Sequence, residues 1–351
     1  MTRGSAESKE PGVLRRFVLP IGFLVLLFWA LFTRRPDPVP EVLEISGQTM
    51  GTQYRILIVE AGLDGPGQQE LGADIEEALR AVNASMSTYI EDSEISRFNA
   101  SESTEPFPIS SGFAEVLREA QAISESTGGA FDATVGPLVN LWGFGPEKAP
   151  DEVSEAVLDQ ERERVGFQHL TVEAESLTKG VANQVVDLSA IAKGWGVDQL
   201  VRVVEEAGHQ NFMAEIGGEV ATRGTNANGG LWRLGIEKPL LEGRKVHSVV
   251  ELSNQAMATS GDYRNFIGEG ASRRSHTIDP RTGRPVTHSL ASVSVVAESC
   301  TKADGWATAL TVLGPEEGLL KAEEEGLAAF FLVRESDGSF SESATTAFSG
   351  L

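Results

Sequence analysis

Residues 187–224 read DLSAIAKGWGVDQLVRVVEEAGHQNFMAEIGGEVATRG, and the fold class turns on how they divide. The first half has helical character from Ser189 to Gly208. The second half is strand-like and contains the Gly217–Gly218 pair, which permits close backbone approach or a bend. Outward from there, Ala73–Met86 reads as a helix with Ile75, Leu79 and Val82 on one face. Residues 112–129 read as another, with Phe113, Val116, Leu117, Ala120 and Ile123 inward and Gly128 as a stop. A fourth helix runs from Thr301 to Gly314. Strand-like stretches lie at 53–60, 231–239, 247–254 and 292–298. Helices do not alternate strictly with strands, which predicts an α+β domain rather than a doubly wound parallel sheet.

The 351 residues, 41% hydrophobic and 23% charged, suit a folded body able to bury a core. A net charge of -22 excludes sequence-independent nucleic-acid binding, since a polyanion would be repelled. Any phosphate ligand must be held locally by backbone N–H groups, a metal ion or a few placed cations. One cysteine, Cys300, excludes an internal disulfide and a multi-cysteine metal site, and reads as a packing residue.

An apolar run from Phe17 to Phe32 has arginines at both ends, and RRPDPVPEV follows it. The expected organisation is a cytoplasmic tail (1–16), an uncleaved transmembrane anchor (17–33), a linker (34–44) and one catalytic domain (45–351). Arg3, Lys9, Arg15 and Arg16 outnumber Arg34 and Arg35, so the N-terminal end is expected to stay cytoplasmic and the rest to be exported.

The common nucleotide motifs are missing: there is no GxxxxGK[ST], strand-GxGxxG-helix, HExxH or GxSxG. Asp304 and Thr308 lie one helical turn apart, so both can face a hard cation such as Mg²⁺. Equally, the aspartate complements its own helix dipole and the threonine bonds one turn back. Ser189 reads as an N-cap and Lys193 as either an anion contact or a solvated charge. The apolar stretch 128–145, with Asp132 as its one acid, reads as the wall of a planar ligand or as core plus turn. Met50 and Tyr89 look exposed, and Glu91, Asp92 and Glu94 look like a solvated loop. SHTIDPRTGRPV (275–286) is a turn that sets His276 three residues before Asp279, beside two arginines.

The ordered set MGT, MSTY, SEISRFN, AFDATVGPLV, VDLSAIAKGWGVD, EIGGEV, ATSGDYRNF, SHTIDPRTGRPV and ADGWATALTVLG resembles the successive motifs of the FAD:protein FMN transferases, the ApbE-type flavin transferases. The likeness runs from about Met50 to about Gly314. It implies a single mixed α/β catalytic domain of ApbE type. It also implies Mg²⁺-dependent transfer of FMN from FAD to a Ser or Thr hydroxyl of a target protein, with release of AMP. The implied metal ligands are Asp304, Thr308 and the Ala190 carbonyl. Implied flavin and diphosphate contacts are Met50, Tyr89, the Ala130-Phe131-Asp132 segment, Lys193 and Ile278. His276 matches the family's histidine in this turn. A histidine is a fitting base for the incoming hydroxyl at neutral pH, with Asp279 holding the turn or the imidazole. His169, His209, His247 and His288 read as surface or structural.

Many relatives carry a lipid-bearing cysteine where this chain has an apolar helix. By resemblance the acceptors are subunits of membrane redox complexes, and the location is the inner membrane with the catalytic domain periplasmic. Two rivals share the site: a hydrolase splitting FAD into FMN and AMP, and a non-catalytic FAD-binding protein.

Overall fold

The computed structural model describes residues 24, 40–146, 148–150, 152–240, 243, 245–261, 266–267 and 274–351. The expected anchor, 17–33, and its flanking tail lie outside the described residues apart from Leu24, as do residues 262–265 of ATSGDYRNF. Among the described residues no helix is long and apolar enough to cross a membrane. The chain divides into a unit of residues 1–40 and a unit of residues 41–351.

The second unit is built on an eight-stranded sheet: β1 Val42–Thr49, β2 Thr52–Val59, β3 Phe212–Ile216, β4 Glu219–Arg223, β5 Ala256–Gly261, β6 Leu290–Ala297, β7 Ala328–Arg334 and β8 Phe340–Ala344. Each strand pairs antiparallel with the next, so the sheet is in chain order. The antiparallel sheet with its long helices on one side meets the α+β expectation. β1 begins at Val42, ahead of the expected domain start at residue 45.

Alternation along the strands separates two cores. Ala221, Ala256, Val295 and Phe331 point into clusters shared with α1 Gly65–Met86, α2 Ser111–Ser126, α3 Ala192–Glu206 and α4 Cys300–Glu324. Their neighbours Val220, Met257, Val296 and Phe330 point the other way, against the hairpin of Trp232–Glu237 and Val246–Leu252. β6 is covered on both faces and buried at every position, Ser292 and Ser294 included.

Helix faces follow the sequence pattern; several ends do not. The inward residues of α2 are all buried, and Ser110 caps it by accepting from the Phe113 N–H. α1 reaches back to Gly65 because Asp64 accepts from the Gly67 N–H at 2.9 Å and Pro66 sits in the first turn. α4 changes direction at Gly314 (φ 82°), the expected stop, and then continues from Pro315 to Glu324. The supposed loop at 91–94 gives way to a short helix, Glu94–Ala100, capped by Ser93. Glu94 is buried there and accepts from the Ser85 and Ser110 hydroxyls, each at 2.8 Å, and from the Ser110 N–H.

α3 starts at Ala192 rather than Ser189, and its cap position, Ile191, offers no side-chain acceptor. Instead the Gly194 N–H donates to Asp304 Oδ2 of α4 at 2.9 Å. Asp198 of α3 returns the favour, accepting from the N–H groups of Cys300 and Thr301 at 2.8 Å each and from the Thr301 hydroxyl at 2.5 Å. Each helix thus has free N–H groups near its start met by an acid of the other, one on α3 and two on α4, where Ser299 also accepts from the Lys302 N–H.

The crossing demands glycine, since a Cβ at residue 194 would lie 2.3 Å from the Cys300 carbonyl oxygen and 2.8 Å from Asp304 Cβ. Gly194→Ala is therefore expected to lower unfolding free energy by about 2–4 kcal/mol in urea titrations. Gly72→Ala has open space around the new methyl in mid-helix, and it should stabilise by about 0.5–1 kcal/mol.

Candidate active site

Two hairpin tips and one turn surround a cleft of about 850 Å³. Met50–Gly51 joins β1 to β2 with φ of 49° and 72°, and Gly217–Gly218 joins β3 to β4 with φ of 63° and 112°. Two-residue loops with both φ positive match the twist of the flanking strands. The glycine pair is thus the turn itself, not a bend within one strand. The tips are neighbours: a Cβ on Gly217 would lie 2.9 Å from Thr52 Cγ2. Gly196 leaves room for the Met50 side chain, whose Cε a Cβ there would meet at 2.8 Å.

In the turn, Ile278–Asp279 pairs with Arg284–Pro285. Asp279 holds the turn: Oδ1 accepts from the Arg281 N–H at 2.9 Å and Nε at 3.0 Å, and Oδ2 from Nη2 at 3.1 Å. Trp142 Nε1 donates to the Gly283 carbonyl at 2.7 Å, tying the turn to the 128–145 stretch. His276 lines the cleft, edge-on to Phe144 with ring centroids 6.3 Å apart.

Ala190, Lys193, Asp304 and Thr308 line the same cleft. So do Met50, Ile278 and the Ala130-Phe131-Asp132 segment. Tyr89 does not; its side chain is 77% exposed on the loop after α1. Asp187, which leads with Ser189 into the anion-favouring helix start, lines it too, as do residues the sequence did not single out: Thr52, Glu219, Thr259 and Ser260. Glu219 had no local signal, because its neighbours become visible only once the β3–β4 hairpin lies beside α3. Cys300 is buried, as expected for a packing residue.

The charges gather at one corner. Lys193 Nζ is 2.5 Å from Glu219 Oε1 and 4.0 Å from Asp304 Oδ1. Burial works against the Lys193 ammonium, but Asp304 and Glu219 outweigh it and hold it above the usual lysine range. Burial pushes the Asp304 carboxyl up to about 7 despite the pull of Lys193, and Glu219 adds to the rise. Thr308 Oγ1 lies 3.5 Å from the Ala190 carbonyl oxygen. Among the described residues no three His, Cys, Asp or Glu side chains gather as a metal centre. The set here is one carboxylate, one hydroxyl and one carbonyl, all oxygen, which fits a hard divalent cation. A buried acid in want of positive charge supports that fit.

An acid whose pKa is raised by folding costs stability once the pH exceeds its unfolded value, and the full cost is reached above its folded value. Asp304→Asn keeps an acceptor for the Gly194 N–H and removes the charge. In cation-free buffer it should match the native protein below pH 4 and exceed it above pH 7, by about 1–3 kcal/mol. Thermal melts across that range give the gap.

The ApbE family model matches residues 50–331. The FAD:protein FMN transferase of Vibrio cholerae is 44% identical over 330 residues, covering 93% of this chain and 97% of that one. The Escherichia coli K12 protein of the same name is 40% identical over 320 residues, covering 89% and 91%. The solved flavin transferase ApbE from Vibrio cholerae superposes with a TM-score of 0.81, covering 89% of this chain and 99% of that one. The apo flavinyl transferase ApbE of Pseudomonas stutzeri gives 0.82 at 38% identity, covering 90% and 98%. With its mixed α/β domain, its cleft and these matches, the chain belongs to the ApbE family.

Proposed function

We propose that this protein is an FAD:protein FMN transferase, moving FMN from FAD to a Ser or Thr hydroxyl of a target protein with Mg²⁺ as cofactor. The observation that carries this is the meeting of Asp304, Thr308 and the Ala190 carbonyl with Lys193 in one cleft that His276 also lines. Names shared by its most similar relatives support the activity.

Asp304, Thr308 and the Ala190 carbonyl would hold a Mg²⁺ ion, which would supply positive charge to the diphosphate oxygens. Lys193 adds a second positive charge beside them. Met50, Phe131 and Ile278 offer apolar surface to the isoalloxazine ring, and Ala130 and Asp132 complete that wall. The acceptor oxygen bonds to the FMN phosphorus, the phosphorus–oxygen bond to AMP breaks, and the hydroxyl proton passes to His276. Asp279 acts through Arg281, fixing the turn that presents the histidine.

Residues 17–33 anchor the protein in the inner membrane, with the domain on the periplasmic side, where subunits of membrane redox complexes are the acceptors. The apolar run, short in itself but extended by Thr33 and the snorkelling arginines at its ends, and the arginine and lysine bias support this.

Incubation with FAD, Mg²⁺ and an acceptor should add one FMN to a Ser or Thr by mass spectrometry, with one AMP released per FMN. Free FMN without labelled protein would make the enzyme an FAD pyrophosphatase. His276→Ala should slow transfer by about 10²–10⁴-fold while FAD binding persists. Transfer at the native rate would leave the histidine with only the turn to shape.

A further inference from the structure

Glu219 is only 3% exposed, although it follows the Gly217–Gly218 tip and lines the cleft. Its Oε1 holds Lys193 Nζ at 2.5 Å, and its Oε2 is buried without a hydrogen-bond partner. A buried carboxylate satisfied on one oxygen alone costs more than a neutral side chain of the same shape. Its presence here calls for a role other than stabilising the fold.

Lys193 supplies one. Its next anionic neighbour is Asp304 Oδ1 at 4.0 Å. A lysine this close to a metal-binding carboxylate opposes the metal twice: it repels the cation, and by closing on Oδ1 it takes a coordination position. Glu219 counters both effects, since it neutralises the ammonium and holds it at 2.5 Å while Asp304 Oδ1 stays 4.0 Å away. We propose that Glu219 is a positioning residue, the counter-charge that lets Lys193 and a divalent cation share one corner of the cleft. This rests on the reading above that Asp304, Thr308 and Ala190 hold the metal. Lys193 is then kept beside the diphosphate without competing for the cation.

With Asp304 ionised, as a metal ligand must be, the three side chains carry one net negative charge. Glu219→Gln removes that excess and frees Lys193 to pair with Asp304; adding Lys193→Gln restores the excess and removes the competitor. A merely structural role for Glu219 would not be repaired by a second change at Lys193. The test titrates Mn²⁺ alone into full-length protein in detergent, without FAD, and reads free Mn²⁺ by electron paramagnetic resonance.

Glu219→Gln should weaken Mn²⁺ binding by about tenfold or more, and Lys193→Gln/Glu219→Gln should return it to within about threefold of native. The double variant leaves no buried charge of the pair unmatched, so it remains a test even if the single variant folds poorly. Native affinity in Glu219→Gln, or a double variant as weak as the single, overturns the proposal. Asp304→Ala separates the two levels. If it leaves native Mn²⁺ binding unchanged, the metal site itself is misassigned and the proposal falls with it.

Discussion

The crossing of α3 and α4 is the constraint on which the rest depends. Its two ends are held by one exchange of acids: Asp304 satisfies Gly194 of α3, and Asp198 satisfies Cys300 and Thr301 of α4. Helix N-termini carry partial positive charge and free donors, so an acid at each end is worth more there than on an open surface. The close approach that Gly194 allows buries Asp304 almost fully. That burial makes the carboxylate both a structural cap, through Oδ2, and a strong seat for a cation, through Oδ1. Fold and chemistry share one side chain.

The antiparallel sheet in chain order does the remaining work of assembly. Because every strand pairs with its successor, the tips at Met50–Gly51 and Gly217–Gly218 fall side by side. They meet the start of α3 and the 275–286 turn around a single cleft. Residues far apart in the chain reach it from stiff hairpins and helix starts rather than from long loops, which suits a reaction that relies on positioning. The Asp279–Arg281 contacts extend that stiffness to the segment bearing His276.

What could be read in the sequence was what local pattern determines. The inward faces of α1 and α2 follow from the 3.6-residue period, and each is buried as that period requires. The Asp304–Thr308 spacing placed both residues on one helical face. Their local alternatives did not prevail: Asp304 caps a different helix, and Thr308 lies beside Ala190, whereas Thr311 bonds one turn back to Ala307. The start of α3 was misplaced at Ser189 because its cap comes from a residue 110 positions away. Glu94 passed for a solvated acid for the same reason, since Ser85 and Ser110 are its partners only in the folded chain. Glu219 stayed hidden inside a strand pattern that says nothing of a lysine across the sheet's edge.

The central claim is that oxygens of Asp304, Thr308 and Ala190 converge on one divalent ion. Anomalous scattering from crystals grown with Mn²⁺ and ADP tests it most directly. The expected result is a peak within about 2.0–2.4 Å of the Asp304 carboxylate, the Thr308 hydroxyl and the Ala190 carbonyl, with diphosphate oxygens completing the shell. A manganese peak elsewhere in the cleft, or a bound diphosphate with none at these three oxygens, would contradict it.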